Sequence, residues 1–543
     1  MTKNNLLYIC LAAMLLFAAC TRATKNPENI NGANSPAEAE ELIVINWGIL
    51  NRGDPASLDP DIEFEIVSDI ADMFGVAINL MIMPNATLDI NVSVNDLPDF
   101  FLAYDFETVL FNSGVLRPIP HDMITQHAPR YAARMSVEPY GWDLGRAPGQ
   151  DGYYFGLNVY HALMSQPMQY SQYRFDWLID LGINPNGNVS KLRGGEVSFY
   201  FTDEAFTQDQ FVDIIRAFAN RSDNSSGVLV PARQEFITTY FRPIIGMFGL
   251  IPDIINCGGR AVPYYASGQY RDFMRFLSDL HKEDLLLFAS KDDAWANPPE
   301  LIRGRIGWNV GVPSIILNYY GVIAFPNENV NLFLRDPDAK LLVAPPEIGL
   351  SGMQGFYSLN TSFLTSIKWF VSAAVTDEKL AKILQIFDAL SFDPEFHVLS
   401  NYGVEGVDFT WEGEPYNSRA IQNTSRSLQE SQRRGAGGLN TLNMEDGFLV
   451  YQLGNNALTQ FASSPRTAQM AIRPYKEDMF GLFTDQRAEL DLRFEERLRQ
   501  VRQDFYYNVA TGGITDVDAE WDRYIAGLYA NGLSEYIALF EQF

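Results

Sequence analysis

Cysteine and histidine are scarce in this chain, with three cysteines and five histidines among 543 residues. No two histidines stand at i, i+4, so the H-E-x-x-H arrangement for zinc is absent. No G-x-G-x-x-G opens a helix and no Walker-type Gly-Lys-Ser/Thr loop occurs, which removes the usual cradles for nucleotide phosphates. The G-x-S-x-G elbow of serine hydrolases is missing too. Cations are in deficit: 40 Lys+Arg against 67 Asp+Glu give a net charge of −27. A field of that sign repels phosphate backbones, so nucleic acid is excluded as a partner. It also disfavours acidic polysaccharides unless a binding cleft is locally basic. The acidic string Asp59, Asp61, Glu63, Glu65 has the spacing of a calcium loop, but Phe64 stands where an EF-hand requires glycine. A solvated acidic face is the simpler reading, and no cofactor or metal is expected.

Long hydrophobic runs are lacking as well. The apolar stretch from Leu6 to Ala19 has 14 residues, short of the roughly 20 needed to span a bilayer. Lys3 ahead of it and small residues behind it describe a signal peptide. Leu16-Phe17-Ala18-Ala19-Cys20 resembles the lipobox of bacterial lipoproteins. That resemblance implies removal of residues 1–19 and lipidation of Cys20 as the new N-terminus. Cys10 is then discarded and Cys257 has no disulfide partner, so the exported domain relies on its core. Cys257 reads as a packed thiol. Residues 20–41, rich in Asn, Pro, Ala and Glu without apolar period, read as a flexible spacer.

What is present is a large supply of aromatic residues, 13% of the chain. The remaining length suits two or three domains. The β-branched run Leu42-Ile43-Val44-Ile45 predicts the first buried strand. Further strands are predicted at 77–83, 98–102, 153–157, 305–309, 340–344 and 367–373. Between them, Phe211, Ile214, Ile215 and Phe218 fall on one helical face behind the cap candidates Thr202 and Asp203. Leu380, Ile383, Leu384 and Phe387 repeat the spacing, and Phe494, Leu498, Val501 and Phe505 stripe a charged helix closed by Gly512-Gly513. Strands alternating with helices predict an α/β fold with largely parallel sheets. No internal repeat is visible.

The segment "NDLPDFFLAYDFETVLFNSGVLRPI" from Asn95 resembles the "G-D-L-P-D-I … G-L-L-x-P-L" passage of extracellular solute-binding lipoproteins of ABC-type carbohydrate importers, with Asn95 in place of glycine. "DGYYFGLN" from Asp151 is similar to that family's "D-G-K-I-Y-G-L-P", and "YRFDWLIDLGI" from Tyr173 to its "R-K-D-W-L-D-K-L-G-L". The likeness continues through "IRGRIGWNV", "NYGVEGVDFTWEGE" and the closing "EWDRYIAGLYANGLSEYIALFEQ", in order from about residue 42 to 543. It implies a two-lobed periplasmic-binding-protein-like fold of type II, with a hinge and an interlobe ligand cleft. By that likeness lobe one takes residues 42–156 and 325–400, and lobe two takes 157–324 and 401–543. The implied activity is capture of a sugar or oligosaccharide and its delivery to permease subunits, without catalysis. The protein is expected as a monomer held by lipid on the outer face of the bacterial cytoplasmic membrane. A surface glycan-degrading enzyme is the alternative, recognised by cleft carboxylates about 5–10 Å apart. A sensor or peptide-binding protein of the same fold is another.

Sugar recognition asks for aromatic faces and planar polar side chains, and in open α/β sheets ligand lies beyond the carboxyl ends of strands. Residues just after the predicted strands are therefore the candidates: Trp47 and Asn51, Tyr104 and Asp105, Tyr160 and His161, and Trp308 and Asn309. Tyr240 in "TTYFRP", Tyr357 in "GFYSLN" and Trp411 in "DFTWEGE" are added, the last on an expected surface hairpin. Trp177 reads as helix packing.

Overall fold

The computed structural model describes residues 42–50, 64–83, 97–104, 114–137, 141–147, 149–160, 170–192, 198–222, 225–237, 241–251, 254–289, 297–311, 332–357, 363–422, 439, 444–448, 450–451, 454–462, 464–472 and 489–542. Cys20 and the spacer lie outside them. Ten strands build two five-stranded sheets: β1 (Ile43–Leu50), β2 (Val76–Met83), β3 (Phe100–Tyr104), β4 (Leu157–Tyr160), β5 (Tyr170–Arg174), β6 (Val189–Lys191), β7 (Phe199–Thr202), β8 (Trp308–Gly311), β9 (Leu341–Ala344) and β10 (Phe363–Val371). The helices used below are α1 (Glu65–Phe74), α2 (Pro129–Val137), α3 (Gln208–Ala219), α4 (Gly268–Lys282), α5 (Asp377–Phe392), α6 (Pro394–Tyr402), α7 (Glu496–Ala510) and α8 (Val517–Ala530).

Sheet one has the order β2-β1-β3-β10-β4. β1 runs parallel to β2 and β3, while β10 is antiparallel to both β3 and β4. Strands β1 to β4 therefore share one direction, with β10 inserted against them. Along β1 the alternation is visible: Ile45 and Trp47 are buried while Val44 is exposed. Trp47, Phe100 and Trp369 pack with Phe387 of α5, with α1 and α2 covering the same face through Ile66, Ile70, Tyr131 and Met135. Phe101, Ala103, Phe155 and Phe370 form a smaller cluster that follows the alternate residues of β3 and β10.

Sheet two has the order β8-β5-β9-β7-β6. β9 is parallel to β7 and antiparallel to β5, which is antiparallel to β8. Residues alternate between two cores: Leu341 and Val343 join one, Leu342 and Ala344 the other. The second core is closed by α3, α4, α7 and α8. There Phe211, Ile214, Ile215 and Phe218 of α3 are buried on the predicted stripe. Tyr506 and Tyr524 donate to the carbonyls of Pro231 and Tyr265, tying the C-terminal helices to the segments after Val228–Val230 and before α4.

Two expectations are corrected. The sheet is mixed rather than largely parallel, because β5, β6 and β10 run against their neighbours. The helix α3 is not capped by Thr202 or Asp203. Thr202 ends β7, Asp203 accepts from the Asn188 amide, and Thr207 makes a capping box with Gln210. Leu157–Tyr160 pairs in sheet one, and Leu341–Ala344 pairs in sheet two. Hydrogen-bonded neighbours decide a strand's sheet, and apolar composition does not reveal them.

Candidate functional site

The chain crosses between the two sheets at edges where candidate residues gather. The chain leaves sheet one at Tyr160 and joins sheet two at Tyr170; it leaves sheet two at Ala344 and rejoins sheet one at Phe363. Phe363 pairs with Tyr160 and Ile367 with Tyr104, so the carboxyl ends of β3 and β4 and the start of β10 share one edge. Gly311 pairs with Tyr170 and Ala344 with Ser171, so the carboxyl ends of β8 and β9 share the corresponding edge of sheet two. Both crossings join these two edges. In open α/β sheets that is where ligands bind. The β10 register against β4 shifts between Leu364 and Lys368 at this edge.

Several predicted site residues take other roles. Trp47 does not follow a strand: β1 continues to Leu50, and Trp47 is fully buried edge-on to Phe100 and Trp369. It is a core tryptophan. Trp308 begins β8 instead of ending a strand, and it packs against Phe211 and Phe241 in the second core. Asn309, on the opposite face, is buried and paired in register with Gln172. Tyr104 and Tyr160 close β3 and β4 at the shared edge, and Tyr357 pairs with Ile472 in a short parallel bridge of strands. Asn51, Asp105, His161 and Tyr240 lie outside the described residues.

Trp411 stands, as expected, on a hairpin, Phe409–Trp411 against Ala420–Gln422. It packs edge-on to Phe409 at 5.3 Å and Tyr451 at 5.4 Å, with Tyr416 tilted beside it at 5.3 Å. Behind them His397 stacks on Phe448 at 4.2 Å. Trp177 is the helix-packing residue foreseen, with the guanidinium groups of Arg174 and Arg221 at 4.8 and 5.0 Å from its ring.

The polar groups that the sequence did not disclose are buried ones in sheet two. Glu347, three residues beyond β9, is fully buried and accepts from the Tyr173 hydroxyl. Burial pushes its carboxyl above the ordinary value, opposed by hydrogen bonding from Ser171, Tyr173 and Trp308. Gln172 is also fully buried. In sheet one, buried Lys368 pairs across to Ala103 and Asn158, and its ammonium lies 5.4 Å from the Phe155 ring. None of these has a periodic or motif signal, because each is defined by partners far away in the chain. Cys257 is half-buried beside Gln269.

No protein-family profile and no curated protein matches the sequence. Solved structures do match over nearly the whole chain. An extracellular solute-binding protein from Bifidobacterium longum subsp. infantis superposes with a TM-score of 0.62 at 14% identity, covering 93% of this chain and 98% of that one. The alginate-binding protein AlgQ2, solved without calcium ion, gives 0.59 at 15% identity, with 93% and 98% covered. The S. pneumoniae ABC-transporter substrate-binding protein FusA, in complex with kestose, gives 0.58 at 16% identity, with 91% and 97% covered. The chain has the two-lobed fold of ABC-importer solute-binding proteins. Among the described residues, no helix is long and apolar enough to cross a membrane.

Proposed function

We propose that this protein captures a sugar or oligosaccharide between its two lobes and hands it to the permease of an ABC importer. The observation that carries the reading is the pair of sheet edges joined by the Tyr160–Tyr170 and Ala344–Phe363 crossings, in a fold whose solved examples bind saccharides. On this reading lobe one comprises sheet one with α1, α2, α5 and α6, and lobe two comprises sheet two with α3, α4, α7 and α8. Tyr104, Asp105, Tyr160 and His161 supply the lobe-one side of the cleft. Asn51, Tyr240 and Tyr357 are the remaining candidates around it. A lipid on Cys20 holds the receptor at the outer face of the membrane, and the spacer to residue 41 gives it reach.

Ligand that touches both lobes stabilises their closed arrangement, and binding to the folded state alone raises the unfolding free energy by mass action, about 2.7 kcal/mol at a hundred times Kd. A glycan panel scored by thermal shift should therefore raise Tm for a subset of saccharides, with each saccharide recovered unchanged. Consumption of the saccharide by purified protein would replace transport by hydrolysis as the function.

A further inference from the structure

Glu347 holds the second crossing down on sheet two. The stretch from Pro345 to Gly355 follows β9 and leads toward Phe363 in sheet one. Pro345, Pro346 and Glu347 are buried, and the Glu347 carboxyl accepts from the Tyr173 hydroxyl of β5. The Ser171 hydroxyl and the Trp308 indole N–H, both buried and without another partner, face the same carboxyl. Around it the Ile348 amide donates to the Phe206 carbonyl at 2.9 Å, and the Gln208 amide donates to the Ile348 carbonyl at 2.7 Å. The Gln354 side chain donates to the Pro346 carbonyl at 2.7 Å. Against the helix Arg242–Gly246 and the residue after it, the stretch rests by bare backbone. A side chain at Gly246 would lie 2.2 Å from the Gly355 carbonyl oxygen, and one at Gly349 would lie 2.0 Å from that of Met247. No side chain interlocks at those two contacts, so Glu347 and the backbone bonds carry the attachment.

The carboxyl has no cation beside it among the described residues. Arg174, at the end of β5, is bound to Asp176 and Asp336, and Arg305, ahead of β8, is paired with Glu300. Arg242 is engaged by another group, Lys340 stands at the other end of β9, and Asp209 of α3 is exposed. Tyr173 is the one titratable group in contact with the carboxyl among the described residues. A carboxyl buried among neutral donors without a countercharge keeps its proton to higher pH than one in water, and Glu347 is displaced in that direction. Its anion gains by reaching water, which requires the stretch to lift. We propose that Glu347 is an acid-held latch on the second crossing: neutral, it keeps residues 345–355 on sheet two, and ionised, it lets them lift into water. Lifting adds the length from Ala344 to Gly355 to the free chain between the sheets, which widens the separation the two lobes can reach. The latch goes beyond saccharide capture and does not depend on it.

The test is amide hydrogen exchange on the purified full chain without ligand, from acid to mildly alkaline buffer and corrected for the intrinsic rate. Mass spectrometry reads the 345–355 stretch, with β5 as reference. Lifting a carboxyl that is held protonated releases one proton. The opening equilibrium of the stretch should therefore rise about tenfold per pH unit between the ordinary carboxyl value and the latched one, and level off above it. The stretch should exchange far faster than β5, whose ladder on both sides opens only with global unfolding. Glu347→Gln, close in shape and unable to ionise, should be flat across the same range. Tyr173→Phe should raise the opening at acid pH and keep the slope. A slope that persists in Glu347→Gln assigns the titration to another group and overturns the latch. A stretch that exchanges in step with β5 overturns it too, because the carboxyl then titrates only with global unfolding. Flat exchange of the stretch in the unaltered protein overturns it without recourse to any variant.

Discussion

The two sheets are built alike and filled differently. Sheet one buries an aromatic stack, with Trp369 lying 4.7 Å over Phe100 at an 11° interplanar angle and Trp47 edge-on to both. Sheet two buries polar groups among its apolar ones: Gln172, Asn309, Ser171 and the Tyr173–Glu347 pair, all on or next to its central strands. An aromatic core gains from area removed from water and is indifferent to pH. A core holding an acid is sensitive to both hydrogen-bond loss and protonation. The aromatic stack and the Tyr173–Glu347 pair therefore answer to different perturbations.

The largest effect should come from cutting into the aromatic stack. Trp369→Ala removes a ring that is 2% exposed and touches Trp47, Phe100 and Phe387. Truncations of this kind cost about 3–5 kcal/mol. Denaturant unfolding should show that loss with no dependence on pH between mildly acid and neutral buffer. A loss that varies with pH would mean that the aromatic stack is coupled to a titrating neighbour.

The second sheet should respond to chemistry rather than volume. Tyr173→Phe keeps the ring and deletes the donor to Glu347, which leaves a buried carboxyl short of a partner at a loss of about 1–3 kcal/mol. The pH dependence has a definite sign. Burial holds the folded carboxyl of Glu347 above its unfolded value of 4.5. Its contribution to stability is therefore complete below the unfolded value and is lost as pH rises through the folded one. Glu347→Gln removes that titration, so the variant should gain on the unaltered protein as pH goes from acid to neutral. Parallel unfolding curves for the two proteins across that range would show that Glu347 is not held up in the fold.

The contrast also explains what could be read in advance. The strands of sheet one lie in apolar runs such as "IVINWGIL", and their positions are legible because β-branched residues favour an extended backbone and alternate burial shows along the run. The quoted family-like motifs are visible for a related reason: they are local staples. In "LPDFF", Asp99 accepts from the Asn46 amide at 2.7 Å and from Lys379 at 3.1 Å, locking β3 to β1 and α5. In "YRFDW", Arg174 makes a fork to Asp176 at 2.9 and 2.6 Å while stacking on Trp177. In "YGVEGV", Gly403 sits at φ +87°, and a side chain there would meet the Asp408 carboxylate at 2.6 Å. These motifs fix the architecture and say little about ligand. Trp47 and Trp308 depart from expectation because β1 runs on to Leu50 and β8 begins only at Trp308. A shift of that size turns a presumed cleft residue into a core one. Glu347 and Gln172 had no local signal at all, since their environments are made by residues more than a hundred positions away, such as Tyr173 against Glu347.

The smallest effect tests the boundary between the legible and the hidden. Thr202 and Asp203 look like the cap of α3 because they precede an apolar helical stripe, yet the N-cap is Thr207. Its hydroxyl accepts from the Gln210 amide at 3.3 Å, and the Gln210 side chain accepts from the Thr207 amide at 2.9 Å. Both bonds lie within the exposed first turn, so their loss leaves the sheet-two core intact. Thr207→Ala should cost about 1 kcal/mol, read as a lowered denaturation midpoint with an unchanged denaturant slope. Thr202→Val should act differently, because the Thr202 hydroxyl donates to the Asn186 carbonyl from a buried position at the end of β7. Equal effects of the two substitutions would mean that the helix start does not stand apart from the strand that precedes it, and that the polar character of sheet two extends into α3.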